Sequence, residues 1–492
     1  MQYLKEIIGL SYFHFYPTIE DFVPQGAKNQ QLYLAVRDGE VTTDQEASYL
    51  IYGDSSVGKK YIMLKKRLKQ QVTDNYFLLL SRTNEIVPSS LQGRLDYLKQ
   101  LTIIHTLLGQ GRYSLARQLL HYQQKAAATQ LDLIALQEGG QLLRRMASYQ
   151  GERVAFRRYD VQLQEVTQQI AYLQKAQSYY EAVRLEHRRC LAPSASVAAL
   201  AQQHAASLRQ VRKEVDHPLI RFYARLLKMI YLFHQGNASV FRRMLFFQQQ
   251  QTLRHPALAT YDTVANADLA AMEYLFTHHP ERQQTMVQQA IRSSQDESLP
   301  MTAWLELRML ECIHWLRAAD YSRALKVCRQ LESEVEEETF AMSPHDRGQW
   351  MLLKTYASYL VRTTSDNPSV YIAVEPLAAI EGIIQPLLTD TLGYGWQWLI
   401  FKMLLWLENP SLSAKHFLRQ VDAYARRHAA GQSERSRLFF QKVRAMIATR
   451  RHTTSTSDYL SLPSPTVHDR LRELVPYETL WESIKPLKDQ YE

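Results

Sequence analysis

The stretch at residues 302–338, TAWLELRMLECIHWLRAADYSRALKVCRQLESEVEEE, decides the fold. Mostly apolar residues recur every three or four positions on both sides of residues 317–320, and this spacing places them along one face of each helix. They are Trp304, Leu305, Leu307, Leu310, Ile313, His314 and Leu316, then Tyr321, Ala324, Leu325, Cys328, Leu331 and Val335. The stretch predicts a hairpin of two amphipathic helices, in which the small Ala324 lets the backbones approach. Neither helix can bury its face alone, so the hairpin needs neighbours on both sides.

The composition of the chain favours a large all-α protein. Its 492 residues exceed what one compact core usually holds, which indicates several domains or an extended repeat array. Hydrophobic residues make up 46% and charged residues 22%, which excludes a disordered chain. Gly and Pro number only 17 each, too few turn residues for an all-β or α/β protein of this size.

The charge and the cysteines limit the class of protein further. The net charge of +9 permits an acidic partner, a nucleic acid or a membrane surface, but it is mild for this length. The basic residues occur as scattered pairs rather than as one block, so a solvated helical surface is the default and a functional basic face the alternative. The three cysteines have no metal-ligand spacing. With no secretory signal and no membrane-length apolar run, we expect a cytoplasmic protein without membrane contact.

Short breaks separate long amphipathic segments between residues 91 and 451. Many breaks contain proline, which fits the first turn of a helix because its missing N–H has no partner there. Candidate second helices of successive hairpins begin near residues 238, 281, 321, 376 and 412, a spacing of roughly forty residues that is typical of helical-repeat solenoids. Residues 153–190 predict one unusually long helix packed on its neighbours, because too few heptads are sustained for a coiled coil.

Two short motifs resemble tetratricopeptide repeats. They are Gly111-x-Tyr113-x-x-Ala116 and Asp320-Tyr321-x-x-Ala324. In the turn and second helix of that repeat, a small or acidic residue, an aromatic residue and an alanine fall at these intervals. The first-helix signature is absent, and the period is longer and less regular than the usual value of about 34 residues. The resemblance implies a divergent tetratricopeptide-like α-solenoid over residues 96–451, with Tyr113, Ala116, Tyr321 and Ala324 as packing residues.

Residues 1–95 predict a small, mostly helical N-terminal domain. They resemble a segment of bacterial proteins of the same repeat class whose function is uncharacterised. Thr43 and Glu46 give a capping-box signature before one helix, and the loop at residues 53–58 precedes a basic helix that ends near Asp74. The apolar run at residues 76–80 fits either a buried strand or further helix. A strand at residues 76–80 would make the N-terminal domain a winged-helix-like helix-turn-helix. The simpler interpretation is a basic helix whose charges face water. The possible nucleic-acid contacts are Lys59, Lys60, Lys65, Lys66, Arg67 and Lys69.

The sequence predicts no catalytic, cofactor or metal site. Residues 53–60, GDSSVGKK, nearly spell a phosphate-binding loop, but Lys60 stands where the hydroxyl that binds Mg²⁺ is needed. The segment before this loop also indicates a helix rather than a strand. His314 lies on an apolar helix face and is expected to be a hydrogen-bonded core histidine. The acidic run at residues 332–338 predicts a solvated face. We therefore expect a protein that is not an enzyme and needs no cofactor.

The chain is thus predicted to have three parts: the N-terminal domain at 1–95, the solenoid at 96–451, and a linker with a short helical tail at 452–492. The tail is expected to pack back onto the last hairpin, because terminal repeats otherwise expose apolar surface. The favoured function is a non-enzymatic scaffold that binds a partner protein or peptide on the solenoid. The alternative is a nucleic-acid-binding regulator that uses the basic N-terminal helices, with the solenoid as a sensor.

Overall fold

The computed structural model describes most of the chain in separate stretches. They are residues 4–5, 8, 26–82, 89–190, 193–255, 257–258, 263–276, 283, 285–286, 288, 301–337, 342–364, 380–384, 394–408, 414–428, 433–449, 462–465, 469 and 473–489. Every regular element within these stretches is a helix, which confirms the all-α prediction. The chain divides into two compact units, unit 1 (Met1–Gly111) and unit 2 (Arg112–Glu492). The three-part division at residues 95 and 451 stays a prediction.

The helices are numbered in chain order within the described stretches. Unit 1 contains α1 (Ala27–Arg37), α2 (Asp44–Tyr52), α3 (Lys59–Arg82) and α4 (Ser89–Gly109). Unit 2 contains α5 (Tyr113–Gln130), α6 (Leu133–Tyr149), α7 (Arg153–Arg188), α8 (Ala195–Glu214), α9 (Pro218–His234), α10 (Ala238–Arg254), α11 (Thr263–Phe276), α12 (Met301–Arg317), α13 (Tyr321–Glu337), α14 (Pro344–Thr364), α15 (Tyr394–Glu408), α16 (Ala414–His428), α17 (Glu434–Thr449) and α18 (Tyr477–Asp489). Of the helices described, none has the length and hydropathy that a bilayer crossing requires.

In unit 1, α1 packs on both α2 and α3 around a small apolar core. The predicted capping box is confirmed, since Thr43 Oγ1 accepts the Glu46 N–H at 3.2 Å and the Glu46 carboxylate accepts the Thr43 N–H at 3.0 Å. The end of α3 predicted near Asp74 is wrong, because this helix continues to Arg82. The strand alternative at residues 76–80, and the wing it would have formed, are wrong for the same reason. No Gly or Pro interrupts residues 59–82, so nothing local stops the helix.

The central hairpin of unit 2 forms as predicted. Helix α12 ends at Arg317 and α13 begins at Tyr321, so the turn occupies residues 318–320. Ala324 is fully buried where the two helices meet, and Tyr321 is buried beside it. His314 is a hydrogen-bonded core histidine, as predicted, because its Nδ1 lies 3.1 Å from the Tyr274 hydroxyl.

The helices of unit 2 pack on their neighbours in the chain and, in several cases, on the next helix but one. Consecutive pairs run without a gap from α5 to α10 and from α11 to α17. The pairs that are two helices apart are α7 with α9, α9 with α11, α12 with α14, and α15 with α17. Helix α7 spans 36 residues without interruption, which confirms the prediction of one long helix.

The buried apolar side chains of unit 2 form two large clusters among the described residues. The first core is built by α6 to α11 and centres on α9, which is buried around most of its circumference. The second core is built by α12 to α18 and contains four buried tryptophans. Between α11 and α12, smaller apolar contacts join Ala267 to Ala303 and Leu307, and Tyr274 to Leu310. Among the described residues, the apolar contacts between α11 and α12 are therefore fewer than those within either core.

The C-terminal tail belongs to the second core. Helix α18 packs on α14 and α15. Tyr477 stacks on Phe439 with ring centroids 4.4 Å apart. Arg435, only 2% exposed, donates to Glu473 Oε1 at 2.6 Å and to the carbonyl of Pro463 at 2.8 Å. The tail thus packs back onto the helices that precede it.

A substitution in α5 tests the close helix packing. Ala116 is fully buried, whereas Ala126 in the same helix is exposed. We expect Ala116→Leu to lower the free energy of unfolding by about 1–3 kcal/mol through overpacking. Ala126→Leu should change it by less than about 0.5 kcal/mol. Urea unfolding followed by circular dichroism measures both, and equal effects of the two variants would contradict the packing described here.

Candidate functional site

The predicted nucleic-acid contacts lie along α3 of unit 1. Those exposed to solvent are Lys59, Lys60, Lys66, Arg67 and Lys69. Tyr61, Leu68 and Val72 of the same helix are buried in the core of unit 1, so these cations occupy the remaining circumference of α3. The exposed side chains of Ile62 and Met63 lie among them. The surface of α3 is therefore basic with an apolar component.

Lys65 differs from the other five cations because it is bound within unit 1. Its Nζ lies 2.7 Å from Asp44 Oδ1, which also accepts a hydrogen bond from the Tyr61 hydroxyl at 2.8 Å. Burial opposes the charged form of Asp44, but the hydrogen bonds from Lys65 and Tyr61 outweigh it and lower the pKa of Asp44. Lys65 therefore joins α2 to α3, and its charge is already matched by a carboxylate.

Unit 2 contains a buried set of charges that the sequence reasoning did not find. We call it the ionic junction, and it consists of Tyr180, Arg184, Arg188, Asp268, Glu306 and Asp346. Arg184 and Arg188 stand one turn apart near the end of α7, so both guanidiniums project from the same side of that helix. The three carboxylates come from α11, α12 and α14, and each is at most 13% exposed. The ionic junction thus connects α7 of the first core with α12 and α14 of the second.

The charges of the ionic junction alternate along one chain of contacts. Arg184 Nε donates to Asp268 Oδ2 at 2.7 Å, and its Nη2 donates to Glu306 Oε1 at 2.5 Å. Arg188 Nε lies 3.0 Å from the same Glu306 oxygen, and its Nη2 donates to Asp346 Oδ1 at 2.6 Å. Each guanidinium therefore holds two carboxylates from different helices. Removing one partner of such a buried pair costs about 3–5 kcal/mol.

The outer carboxylates of the ionic junction have further partners. Tyr180 donates its hydroxyl hydrogen to Asp268 at 2.6 Å. Asp346 accepts the Ser343 hydroxyl at 2.7 Å, and its backbone N–H donates back to Ser343 Oγ at 3.1 Å. Ser343 thus caps the first turn of α14, as the Ser-Pro sequence at that position suggests. Both guanidiniums and all three carboxyl groups of the ionic junction therefore have protein partners.

Two histidines lie beside the ionic junction in defined tautomers. The N–H of Ser194 donates to His234 Nδ1 at 2.9 Å, so the ring proton of His234 is on Nε2. That Nε2 lies 2.9 Å from His187 Nδ1, which must then be the acceptor. Both rings are therefore neutral. Burial lowers the pKa of His187 and lowers that of His234 to about 2.

The sequence carried one signal for the ionic junction. Glu306 and Asp268 interrupt helix faces that are otherwise apolar, and a charge in such a place needs a buried partner. Arg184 and Arg188 are spaced four residues apart, but their partners lie 84 to 158 residues away, and nothing in the local pattern identifies them.

Neither a search for metal-binding geometry nor a comparison with known proteins assigns a further site. Within the described stretches, no group of three or more His, Cys, Asp or Glu side chains is arranged to hold a metal ion. No family model, curated protein or solved structure matches this chain.

The neutral histidine pair predicts a loss of stability in acid. Because the folded-state pKa of His234 lies below the unfolded value near 6.5, its stabilising contribution is present above pH 6.5 and is lost as the pH falls. We expect His234→Asn to reduce the slope of unfolding free energy against pH by about 1.1 kcal/mol per pH unit on average between pH 6.5 and 5. The control is His121→Asn, which changes an exposed histidine. Urea titrations of both variants at several pH values give the slopes. Identical acid slopes for the wild type and His234→Asn would contradict the assignment.

Proposed function

We propose that unit 2 is an array of stacked helical hairpins, similar to a divergent tetratricopeptide-like solenoid, and that it acts as a non-enzymatic scaffold for a partner protein or peptide. The observation that carries this proposal is the packing pattern. Contacts between consecutive helices, together with contacts between helices two apart, are what side-by-side stacking of hairpins produces. The fully buried Ala116 and Ala324 support it, because each allows close approach within its hairpin.

Exposed apolar side chains on α5 to α7 suggest where a partner binds. Tyr122 is 68% exposed, Tyr149 71% and Val154 84%. The exposed Arg153 and Arg157 lie beside Val154 on the first turns of α7, so the start of this helix offers both apolar area and positive charge. Aromatic and arginine side chains are the residue types most enriched at the centres of protein interfaces.

A pull-down with matched variants tests the scaffold. We expect the immobilised full-length protein to recover one stoichiometric protein partner from a lysate of its source. The double variant Tyr122→Ser, Tyr149→Ser should lose this partner, because two exposed aromatic anchors are removed. Phe246→Ser, which removes an exposed aromatic side chain from α10, should retain it. Recovery of no stoichiometric protein would contradict the scaffold, and retention by the double variant would contradict the proposed surface.

A second candidate function is nucleic-acid binding by unit 1, favoured by the exposed cations of α3. Lys65 is excluded from its contacts because it pairs with Asp44. The side chains proposed to contact phosphates are Lys59, Lys60, Lys66, Arg67 and Lys69.

The salt dependence of duplex binding tests this candidate. Each phosphate contact contributes about 0.9 to the slope of log affinity against log salt concentration. The triple variant with Lys66, Arg67 and Lys69 changed to Gln should therefore reduce the slope by about 2.7. A control with Arg145, Arg153 and Arg157 changed to Gln removes the same charge from unit 2 and should leave the slope unchanged. Equal effects of the two triple variants would indicate a response to net charge alone.

A further inference from the structure

The charges of the ionic junction do not balance when every group is ionised. Asp268, Glu306 and Asp346 carry three negative charges, whereas Arg184 and Arg188 carry two positive ones. Guanidinium groups stay protonated in proteins, so they cannot adjust. An uncompensated buried charge is strongly unfavourable, and one proton on a carboxyl group would remove it.

We propose that the ionic junction binds one proton on Glu306 and that this proton makes it a pH-sensitive latch between the first core and the second core. When Glu306 is protonated, two carboxylates face two guanidiniums and the latch is neutral. When Glu306 loses the proton, one negative charge is left over between the two cores, and the second core is held less firmly.

The position of Glu306 within the ionic junction selects it as the proton carrier. It lies between the other two carboxylates, and its Oε1 accepts from both arginines. Asp268 and Asp346 each have an additional hydroxyl donor, from Tyr180 and Ser343, which stabilises their charged forms. Burial and the Asp268 carboxylate raise the pKa of Glu306 to about 8.

The other titratable groups that face the latch come from α7, α9, α14 and α15. From α7 and α9, His187 and His234 are neutral because of their mutual hydrogen bond and the Ser194 N–H. From α14, His345 Nε2 lies 3.1 Å from the backbone carbonyl oxygen of Arg188 and 2.7 Å from Gln349 Nε2. From α15, burial raises the pKa of Tyr394, so this phenol stays neutral as well.

The direction of the pH effect follows from the raised pKa of Glu306. The folded chain keeps a proton that the unfolded chain has already lost, so the contribution of Glu306 to stability is fully present at low pH and is lost as the pH rises through 8. The histidine pair changes the free energy of unfolding only below about pH 6.5. The effect of Glu306 can therefore be measured separately between pH 6.5 and 8. Between pH 6.5 and 8, release of this proton lowers the folding equilibrium constant about 16-fold in total, because the slope decreases as the pH approaches the pKa.

Tryptophan fluorescence of the full-length chain reports on the second core. All seven tryptophans are in or packed against that core. Urea unfolding followed by this signal should show the folding constant falling about 16-fold from pH 6.5 to 8. Glu306→Gln, a permanently neutral isostere, should remove the fall. Glu311→Gln is the matched control, because Glu311 is buried on the same helix but pairs one-to-one with Arg308 at 2.6 Å.

Infrared spectroscopy detects the proton itself. We expect the stretching band of a protonated carboxyl group at pH 7, its loss above pH 9, and its absence from Glu306→Gln but not from Glu311→Gln. A wild-type spectrum without this band at pH 7, or the same band in Glu306→Gln, would overturn the proton assignment. A band that titrates while the stability of the second core stays constant would overturn the latch.

Discussion

Burying charge without a partner is more costly than almost any other defect in a protein interior, and this constraint shapes unit 2. Five ionisable side chains from α7, α11, α12 and α14 meet in the ionic junction, and each arginine among them contacts two carboxyl groups. Apolar contacts tolerate small sliding movements, whereas bidentate guanidinium contacts fix distance and direction. The ionic junction therefore determines how the two cores meet.

The length of α7 makes this arrangement possible. Its 36 residues span about 54 Å, and its first turns pack with α6 while its last turns reach α12 and α14 in the second core. A further buried arginine, Arg435, holds the tail in a comparable way through Glu473 and the carbonyl of Pro463. Unit 2 thus combines apolar helix packing, which is adaptable, with two polar anchors, which are specific.

Local features were predictable from the sequence, and long-range partners were not. The hairpin at Tyr321 and Ala324, the cap at Thr43 and the long α7 depend on spacing within one or two helices, which periodicity reveals. The strand alternative at residues 76–80 failed because a short apolar run fits either structure, and only the absence of a breaker favoured a helix. The ionic junction was missed because the partners of Arg188 in α12 and α14 lie more than a hundred residues away. The basic helix α3 was found, but only the structure separates Lys65 from its neighbours.

Hydrogen exchange measured by mass spectrometry at pH 7 tests most directly whether the ionic junction holds the cores together. In the wild type, we predict that the most protected amides of α9 and α15 open with the same free energy, because the two cores unfold as one unit. In Arg188→Gln, protection of α15 should fall below that of α9, whereas Arg189→Gln, at the adjacent exposed position, should leave the two equal. Equal protection of α9 and α15 in Arg188→Gln would contradict the account.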